Sequence, residues 1–302
     1  MTAPVGTVLA REGGSYRLLL DGREYVAILR GKAKRAEDRA IAGDIVTIDP
    51  ATLTEETLAI TGVEPRRSLL ARRVPDGRGT RPVAANVDQV VVVIAAADPD
   101  PIPQLMDRLL VVAEANEIPC WVVVNKTDLG SAAPIEAHLR ASGYRVLPTA
   151  ARAGEGVEAL RTALFGATSV LTGPSGAGKS SLLNALEPGL GLRVGAVSAK
   201  VGRGTHTTVT ATMIPMAGGG FVVDTPGFSE VGVWDLARGE LDSCFPEFRE
   251  YVGSCKYGDC LHRIEPGCAI RAAVARGDIP AARHDSYLAI LAELEGLPES
   301  WE

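Results

Sequence analysis

The sequence has few of the features that mark membrane-spanning or secreted proteins. No apolar run reaches the roughly 18 residues that a membrane helix needs, and the longest runs, at 90–97 and 120–124, have the length of strands. The start, MTAPVGTVLAREGG, lacks the basic residues and apolar segment of a secretory signal. We therefore expect a soluble, cytoplasmic protein without a membrane partner.

Composition and charge narrow the class further. The 302 residues are 46% hydrophobic and 23% charged, which excludes disordered and collagen-like chains. The net charge of −6 is uneven, with +3 on residues 1–85 and −9 on residues 86–302. One acid accompanies six arginines in residues 66–81: Arg66, Arg67, Arg72, Arg73, Arg78 and Arg81. This stretch predicts either a nucleic-acid contact or a solvated, mobile linker.

Cysteine is scarce, and three of the five cysteines fall within fourteen residues together with a histidine. The four residues follow the spacing CxxxxCxHxxxxxC: Cys255, Cys260, His262 and Cys268. In a reducing compartment this pattern predicts a Cys3His site for one Zn²⁺, which would be structural because four protein ligands leave no open position. The alternative is a group of unrelated buried thiols. Cys120 and Cys244 lie outside the pattern and are expected in the core.

The pattern of strands and helices changes along the chain. Residues 1–65 contain short strands about ten residues apart, typical of an oligonucleotide-binding (OB-like) or SH3-like β-barrel. After an arginine-rich linker at 66–85, valine-rich strands alternate with helices over 86–235, which predicts a parallel sheet covered on both faces. Residues 236–302 hold the cysteine pattern and a C-terminal helix. The expected fold class is multidomain α/β, with an N-terminal barrel and a C-terminal zinc-binding, mainly helical domain.

The strongest motif is GPSGAGKS, which matches GxxxxGK[ST], follows the strand SVLT and precedes the helical SSLLNAL. Backbone N–H groups of such a loop converge on phosphates at a helix N-terminus. Lys179 adds a positive charge near the β and γ phosphates, and the Ser180 hydroxyl binds Mg²⁺. The residues predicted to bind nucleotide here are Gly173, Pro174, Ser175, Gly176, Ala177, Gly178, Lys179, Ser180 and Ser181.

A second motif, Asn125-Lys126-Thr127-Asp128, follows the strand CWVVV and indicates guanine. The Asp128 carboxylate accepts hydrogen bonds from N1–H and the exocyclic amine of guanine, a donor pair that adenine lacks. Asn125 and Lys126 complete this guanine-binding loop. Ala150 and Ala151 belong to a second loop predicted to contact the base. An ordinary surface turn is the alternative reading of NKTD.

Two further segments predict contacts to Mg²⁺ and the γ phosphate. DTPG at 224–227 ends a strand, which places Asp224 to hold Mg²⁺ through water and the Gly227 N–H near the γ phosphate. In the polar stretch at 202–208, either Thr207 or Thr208 is expected to close on Mg²⁺ beside Ser180 when GTP is bound. An ordinary loop threonine is the alternative.

The order of these motifs is unusual, because the guanine-binding loop comes before the phosphate-binding loop. A nucleotide site forms where loops meet at the carboxyl ends of strands, so chain order can change without changing the chemistry. The sequence therefore predicts a circularly permuted GTPase domain over 86–235. Its γ-phosphate segment leads directly into the zinc-binding segment.

These motifs together resemble the RsgA (YjeQ) family of circularly permuted bacterial GTPases. The resemblance covers nearly the whole chain and rests on the barrel, NKTD, GPSGAGKSSLLNAL, GRGTHTT, DTPGFSE, FPEF at 245–248 and the cysteine pattern, in that order. The resemblance implies a role in late maturation of the small (30S) ribosomal subunit. It also implies that the barrel and zinc domains contact this subunit and that its rRNA stimulates GTP hydrolysis. It also implies roles for six nucleotide-site residues and four zinc ligands: Asn125, Asp128, Lys179, Ser180, Thr208 and Asp224, with Cys255, Cys260, His262 and Cys268.

The chain departs from common GTPase patterns at two places. Ala150 stands where the base-contacting loop often has serine, which removes a hydroxyl. Phe228 follows DTPG, where Ras-type enzymes place the glutamine that orients the attacking water. A phenyl ring cannot orient water, so we expect slow intrinsic turnover, with the missing group supplied by the ribosome or by a loop residue such as His206. A solvated loop histidine is the alternative for His206.

Two alternative functions stay open beside the expected partner, the rRNA of the small subunit. We expect a monomer that binds rRNA and not DNA. One alternative function is a non-catalytic RNA-binding scaffold that GTP locks in shape. The other is a permuted GTPase that acts on the large subunit.

Overall fold

The structure is a computed structural model that describes residues 3–31, 39–73, 80–190, 211–225, 236 and 239–296. These ranges contain a barrel, a two-stranded hairpin, a six-stranded sheet with helices, and a C-terminal helical segment. Among the helices in them, none combines the length and apolar character needed to cross a membrane.

The N-terminal residues form a closed five-stranded barrel. Its strands are β1 (Val5–Glu12), β2 (Ser15–Leu20), β3 (Arg23–Leu29), β4 (Ile45–Ile48) and β5 (Thr57–Val63). Strand β2 alternates, with Tyr16, Leu18 and Leu20 buried in the barrel core. The order β1-β2-β3-β5-β4, with β3 and β5 parallel, matches the OB-like alternative.

The arginine-rich segment that the sequence assigns to a linker contains an antiparallel hairpin. Its strands are β6 (Leu69–Arg73) and β7 (Thr80–Ala85). Arg66 forms two hydrogen bonds with the buried Asp44, at 2.8 and 3.0 Å, and Arg67 pairs with Asp88 at 3.0 Å. These two arginines therefore bind carboxylates of the protein itself.

Six strands form the central sheet in the order β10-β9-β8-β11-β13-β12. They are β8 (Gln89–Ala95), β9 (Cys120–Asn125), β10 (Val146–Pro148), β11 (Thr168–Thr172), β12 (Thr212–Pro215) and β13 (Phe221–Asp224). The helices between them are α1 (Pro103–Ala115), α2 (Ala133–Leu139), α3 (Val157–Leu164) and α4 (Lys179–Leu186). The predicted parallel sheet is confirmed, although edge strand β12 runs antiparallel to β13.

Helices cover both faces of this sheet, which explains the unbroken valine run in β8. Val90 and Val92 share one core with Leu109 of α1, whereas Val91 shares the other core with Leu182 of α4. A strand buried on both faces needs apolar residues at every position rather than at alternate ones.

The C-terminal segment packs on the α1 face and joins the same core. It contains two helices, α5 (Ala269–Arg276) and α6 (Ala281–Glu295). Phe245 and Phe248 of FPEF stack with ring centroids 5.0 Å apart, and Phe248 lies 5.2 Å from the ring of Tyr287 on α6. FPEF therefore holds the C-terminal helix against the sheet domain.

Candidate functional site

The predicted nucleotide loops leave the sheet at one point. Strands β8 and β11 are neighbours in the sheet. After β8 the chain continues to β9 on one side, and after β11 it continues to β12 and β13 on the other side. Ligands of open α/β sheets bind in the crevice at the carboxyl ends of strands where the order reverses in this way. The loops after β8, β9 and β11 all begin at that crevice.

The phosphate-binding loop depends on three glycines with positive φ. Gly173, Gly176 and Gly178 have φ of 144°, 83° and 93°, and Gly178 is the N-cap of α4. A Cβ on Gly173 would lie 2.0 Å from the Val93 carbonyl oxygen, and one on Gly178 would lie 2.2 Å from Asn125 Nδ2. Only glycine fits this cradle, whose backbone leads into a helix N-terminus suited to phosphates.

Asn125 connects the loops that the sequence predicts separately. Its Nδ2 donates to the Ala177 carbonyl of the phosphate-binding loop at 3.0 Å. Its Oδ1 accepts from Thr149 Oγ1 and from the Ala151 backbone N–H, both at 3.2 Å. The side chain is buried, so it positions all three loops from inside the protein.

The other residues predicted to contact the base differ in their exposure and in their hydrogen bonds within the protein. Asp128 is exposed in the loop after β9, as its predicted contact with the base requires. Lys126 donates its ammonium group to the Asp98 carbonyl. The Ala150 N–H donates to the Glu155 carbonyl at 3.0 Å, so this N–H already has an acceptor within the loop.

Two charged residues meet at the phosphate end. Lys179 Nζ donates to the carbonyls of Gly173 at 2.6 Å and Pro174 at 3.0 Å, inside its own loop. Burial lowers the pKa of Lys179, and the nearby Asp224 partly opposes that shift. Burial likewise raises the pKa of Asp224 to about 6, against the effect of Lys179. Ser180 is buried beside them in the first turn of α4.

Five predicted residues lie outside the described ranges, and their roles stay predictions: His206, Thr207, Thr208, Gly227 and Phe228. The residues of the phosphate-binding loop itself, 173–178, form a continuous loop between β11 and α4. Within it Ala177 is buried and Ser175 is exposed.

One element of the site was not predicted, the loop at residues 96–102 after β8. A Cβ on Gly176 would lie 3.0 Å from Pro99 Cδ, which shows how closely this loop approaches the phosphate-binding loop. The Asp98 carbonyl accepts the hydrogen bond from Lys126. Its sequence, ADPDPI directly after a buried strand, was the available signal.

The cysteine pattern forms a compact cluster. The ligand atoms of its four residues all lie within 4.8 Å of one another. Cys255 Sγ is 3.9 Å from Cys268 Sγ, and His262 Nδ1 is 3.6 and 3.4 Å from those two sulfurs. Zn–S bonds of about 2.3 Å place the sulfurs of a tetrahedron about 3.8 Å apart. Cys255, His262 and Cys268 are close to this spacing, and the four-residue cluster is compatible with a tetrahedral zinc ion.

Groups around the cluster orient its ligands. Asp242 Oδ2 lies 3.3 Å from His262 Nε2, so Nδ1 is the ring nitrogen that faces the sulfurs. The N–H groups of Ala269 and Arg271 donate to the sulfurs of Cys255 and Cys268, at 3.3 and 3.4 Å. These two backbone donors hold the sulfurs in place around the cluster. No spacing rule in the sequence identified Asp242.

Comparison with known proteins gives the family. The family model described as RsgA GTPase matches residues 63–234. The small ribosomal subunit biogenesis GTPase RsgA of Gemmatimonas aurantiaca is 48% identical over 98% of this chain and 99% of its own length. The chain belongs to the RsgA GTPase family. The RsgA protein of Moorella thermoacetica is 43% identical, over 96% of this chain and 97% of its own length.

Two solved structures similar to this chain agree with the fold. YjeQ from Thermotoga maritima superposes with a TM-score of 0.81 and 31% identity, covering 98% of this chain and 99% of that one. YloQ, described as a circularly permuted GTPase, superposes with a TM-score of 0.77 and 28% identity, covering 98% and 97%. The predicted fold class and family are therefore confirmed. As an RsgA GTPase the chain is a GTP-hydrolysing enzyme, and the family implies GTP or GDP and Mg²⁺ as its ligands.

Proposed function

We propose that this chain hydrolyses GTP while assisting late maturation of the small ribosomal subunit, that it binds the subunit's rRNA, and that the subunit stimulates hydrolysis. The proposal includes a cytoplasmic monomer that binds neither DNA nor membranes. It also divides the chain into an OB-like barrel at 1–65, an arginine-rich linker at 66–85, a permuted GTPase domain at 86–235 and a zinc-binding domain at 236–302. The curated relatives named above carry small-subunit biogenesis in their names.

The observation that supports this proposal most is the setting of the nucleotide crevice. A closed barrel of OB-like topology precedes the permuted GTPase sheet, and the Cys3His segment packs against α1 of that sheet. OB-like barrels bind oligonucleotides on their strands and loops. The GTPase sheet thus shares its α1-side core with the Cys3His segment and with Leu9 and Ala42 of the barrel region, so an element suited to hold RNA packs directly on the nucleotide-binding domain.

We assign the metals by donor chemistry. Zinc would be held by Cys255, Cys260, His262 and Cys268, and as a four-ligand ion it would stabilise the segment without taking part in hydrolysis. Mg²⁺ would be held by the Ser180 hydroxyl, with Thr208 or Thr207 closing on it and Asp224 contributing through water. When bound, Mg²⁺ neutralises charge on the β and γ phosphates.

For catalysis, the phosphate-binding loop and Lys179 bind and orient the phosphates, and the Gly227 N–H would donate to the γ phosphate. Phe228 replaces the water-orienting glutamine, so the unstimulated enzyme is slow. His206 is the residue that would orient the attacking water in place of that glutamine when the subunit is bound. In other GTPases a group supplied in this way accelerates hydrolysis about 10³- to 10⁵-fold.

The main test is GTP turnover at fixed Mg²⁺ and salt, with small subunits, with large subunits and with neither. Stimulation by small subunits alone is expected. Stimulation by large subunits alone would reassign the partner, and slow turnover in all three reactions would support a GTP-locked scaffold instead.

The role of His206 has its own test. His206→Ala should keep GTP binding and unstimulated turnover but lose the stimulated rate. A stimulated rate equal to that of the unchanged protein would remove His206 from the mechanism.

A further inference from the structure

A buried ion network joins the C-terminal segment to helix α1. Arg283 of α6 donates from Nη1 to Asp107 Oδ1 of α1 at 2.6 Å. It also donates to both carboxylate oxygens of Glu247, at 2.5 and 3.2 Å. Arg283 is only 1% exposed and Asp107 is fully buried. The guanidinium therefore holds together three parts of the chain that lie far apart in sequence.

Two further contacts fix this network. His138 Nε2 of α2 lies 2.8 Å from Asp107 Oδ2, so both carboxylate oxygens of Asp107 have partners. The guanidinium carbon of Arg283 lies 4.6 Å from the centre of the Phe245 ring. The position of α1 relative to α2 and α6 is thus set by directional bonds as well as by apolar packing.

Stability alone is a poor reason for such a network. Replacing a buried ion pair by packed apolar residues is often neutral or stabilising, since desolvation of the charges offsets their attraction. Directional bonds do specify one arrangement of the packed elements.

The start of α1 lies next to a loop that contacts the predicted nucleotide site. Asp107 is the fifth residue of this helix, about 7 Å along its axis from the 96–102 loop at a rise of 1.5 Å per residue. That loop contacts the phosphate-binding loop where Pro99 meets Gly176, and it accepts the hydrogen bond from Lys126 at the Asp98 carbonyl. A shift of the first turns of α1 therefore moves a wall shared by the phosphate and guanine loops.

We propose that Arg283 is a positioning residue for the guanine-nucleotide site. Through Asp107 it holds the first turns of α1, and α1 holds the 96–102 loop against both nucleotide loops. Movement of the C-terminal segment thereby changes how long a nucleotide stays bound. The inference rests on guanine-nucleotide binding at this site but not on the ribosomal partner.

The test measures release of fluorescent GDP, chased by excess unlabelled GDP at fixed Mg²⁺. Arg283→Met keeps the apolar stem and removes the charge, and it should release GDP roughly 2- to 30-fold faster, the range of couplings carried through packed networks. The matched control is Arg108→Met. Arg108 pairs with Glu293 and so joins the same two helices, α1 and α6, from a partly exposed position. Its release rate should stay within about twofold of the unchanged protein, as for exposed ion pairs.

Zinc content and melting temperature are measured on the same samples. A folded Arg283→Met that releases GDP at the unchanged rate overturns the inference, and so does Arg108→Met if it accelerates release equally. If Arg283→Met does not fold, Asp107→Asn takes its place; it keeps the shape and neutralises the carboxylate, and an unchanged rate there also overturns the inference. Failure of the unchanged protein to bind GDP would instead reject the nucleotide assignment on which the inference rests.

Discussion

Asn125 and Ala177 join the guanine-binding loop to the phosphate-binding loop, through a hydrogen bond of 3.0 Å from the Asn125 side chain to the Ala177 carbonyl. The same amide accepts the N–H of Ala151. One buried side chain thus sets the distance between the loop at the base and the loop at the phosphates. We therefore expect its contribution to nucleotide binding to be architectural and not confined to the base.

The first prediction concerns Asn125. Asn125→Ala leaves the Ala177 carbonyl and the Ala151 N–H without their partner, at a cost of about 1–3 kcal/mol for buried polar groups. Affinity for GDP and GTP should fall together, roughly 5- to 150-fold, in a fluorescent-nucleotide titration. Asn116→Ala is the control, because Asn116 accepts from Ala71 N–H at the hairpin. Equal affinities in both variants would contradict the architectural role.

A second prediction concerns Gly178. Gly178→Ala brings a Cβ to 2.2 Å from Asn125 Nδ2 at a φ of 93°, so the loop must shift away from the guanine loop. Nucleotide binding should be lost in equilibrium titration. Gly189→Ala is the matched change, since no atom of the described residues would lie within 4 Å of the added Cβ. Retained binding in Gly178→Ala would show that the loop tolerates the shift.

Zinc binding gives the third prediction. Cys260→Ser should lose the metal and loosen the C-terminal segment while keeping GDP binding, as measured by zinc content and nucleotide titration. Asp242→Asn should weaken zinc binding about 10- to 100-fold, because it changes the partner that orients His262. Cys120→Ser should keep its zinc, and full zinc content in Cys260→Ser would refute the ligand set.

The barrel supplies the fourth prediction. Arg66→Met leaves the fully buried Asp44 carboxylate without its guanidinium partner and should lower the free energy of unfolding of the barrel by roughly 3 kcal/mol, as for broken buried ion pairs. Arg67→Met removes an exposed pair with Asp88 and should cost less than about 1 kcal/mol. Urea denaturation measures both. Equal effects would mean that the burial of Asp44 does not decide the cost.

Local sequence was enough for the parts of the site that are single loops. GPSGAGKS between a strand and a helix specifies a phosphate cradle within eight residues, because glycine spacing and a helix start determine its backbone. NKTD and the cysteine pattern also lie within short stretches of the chain, so residue type and spacing were enough to predict them. The arginine-rich segment shows the limit, since charge density alone did not distinguish Arg66, which binds the buried Asp44, from an arginine that faces solvent.

The sequence by itself identified the family, the loops after the strands and the grouping of the cysteines in this protein. The tertiary structure decided which side chains join those loops. Asn125 meets Ala177, Asp242 meets His262, and Arg283 meets Asp107 across 176 positions of the chain. Such contacts depend on how helices and strands pack, and no spacing along the chain encodes them. For that reason the chemistry of the site was readable from local motifs, whereas its positioning emerged only from the fold.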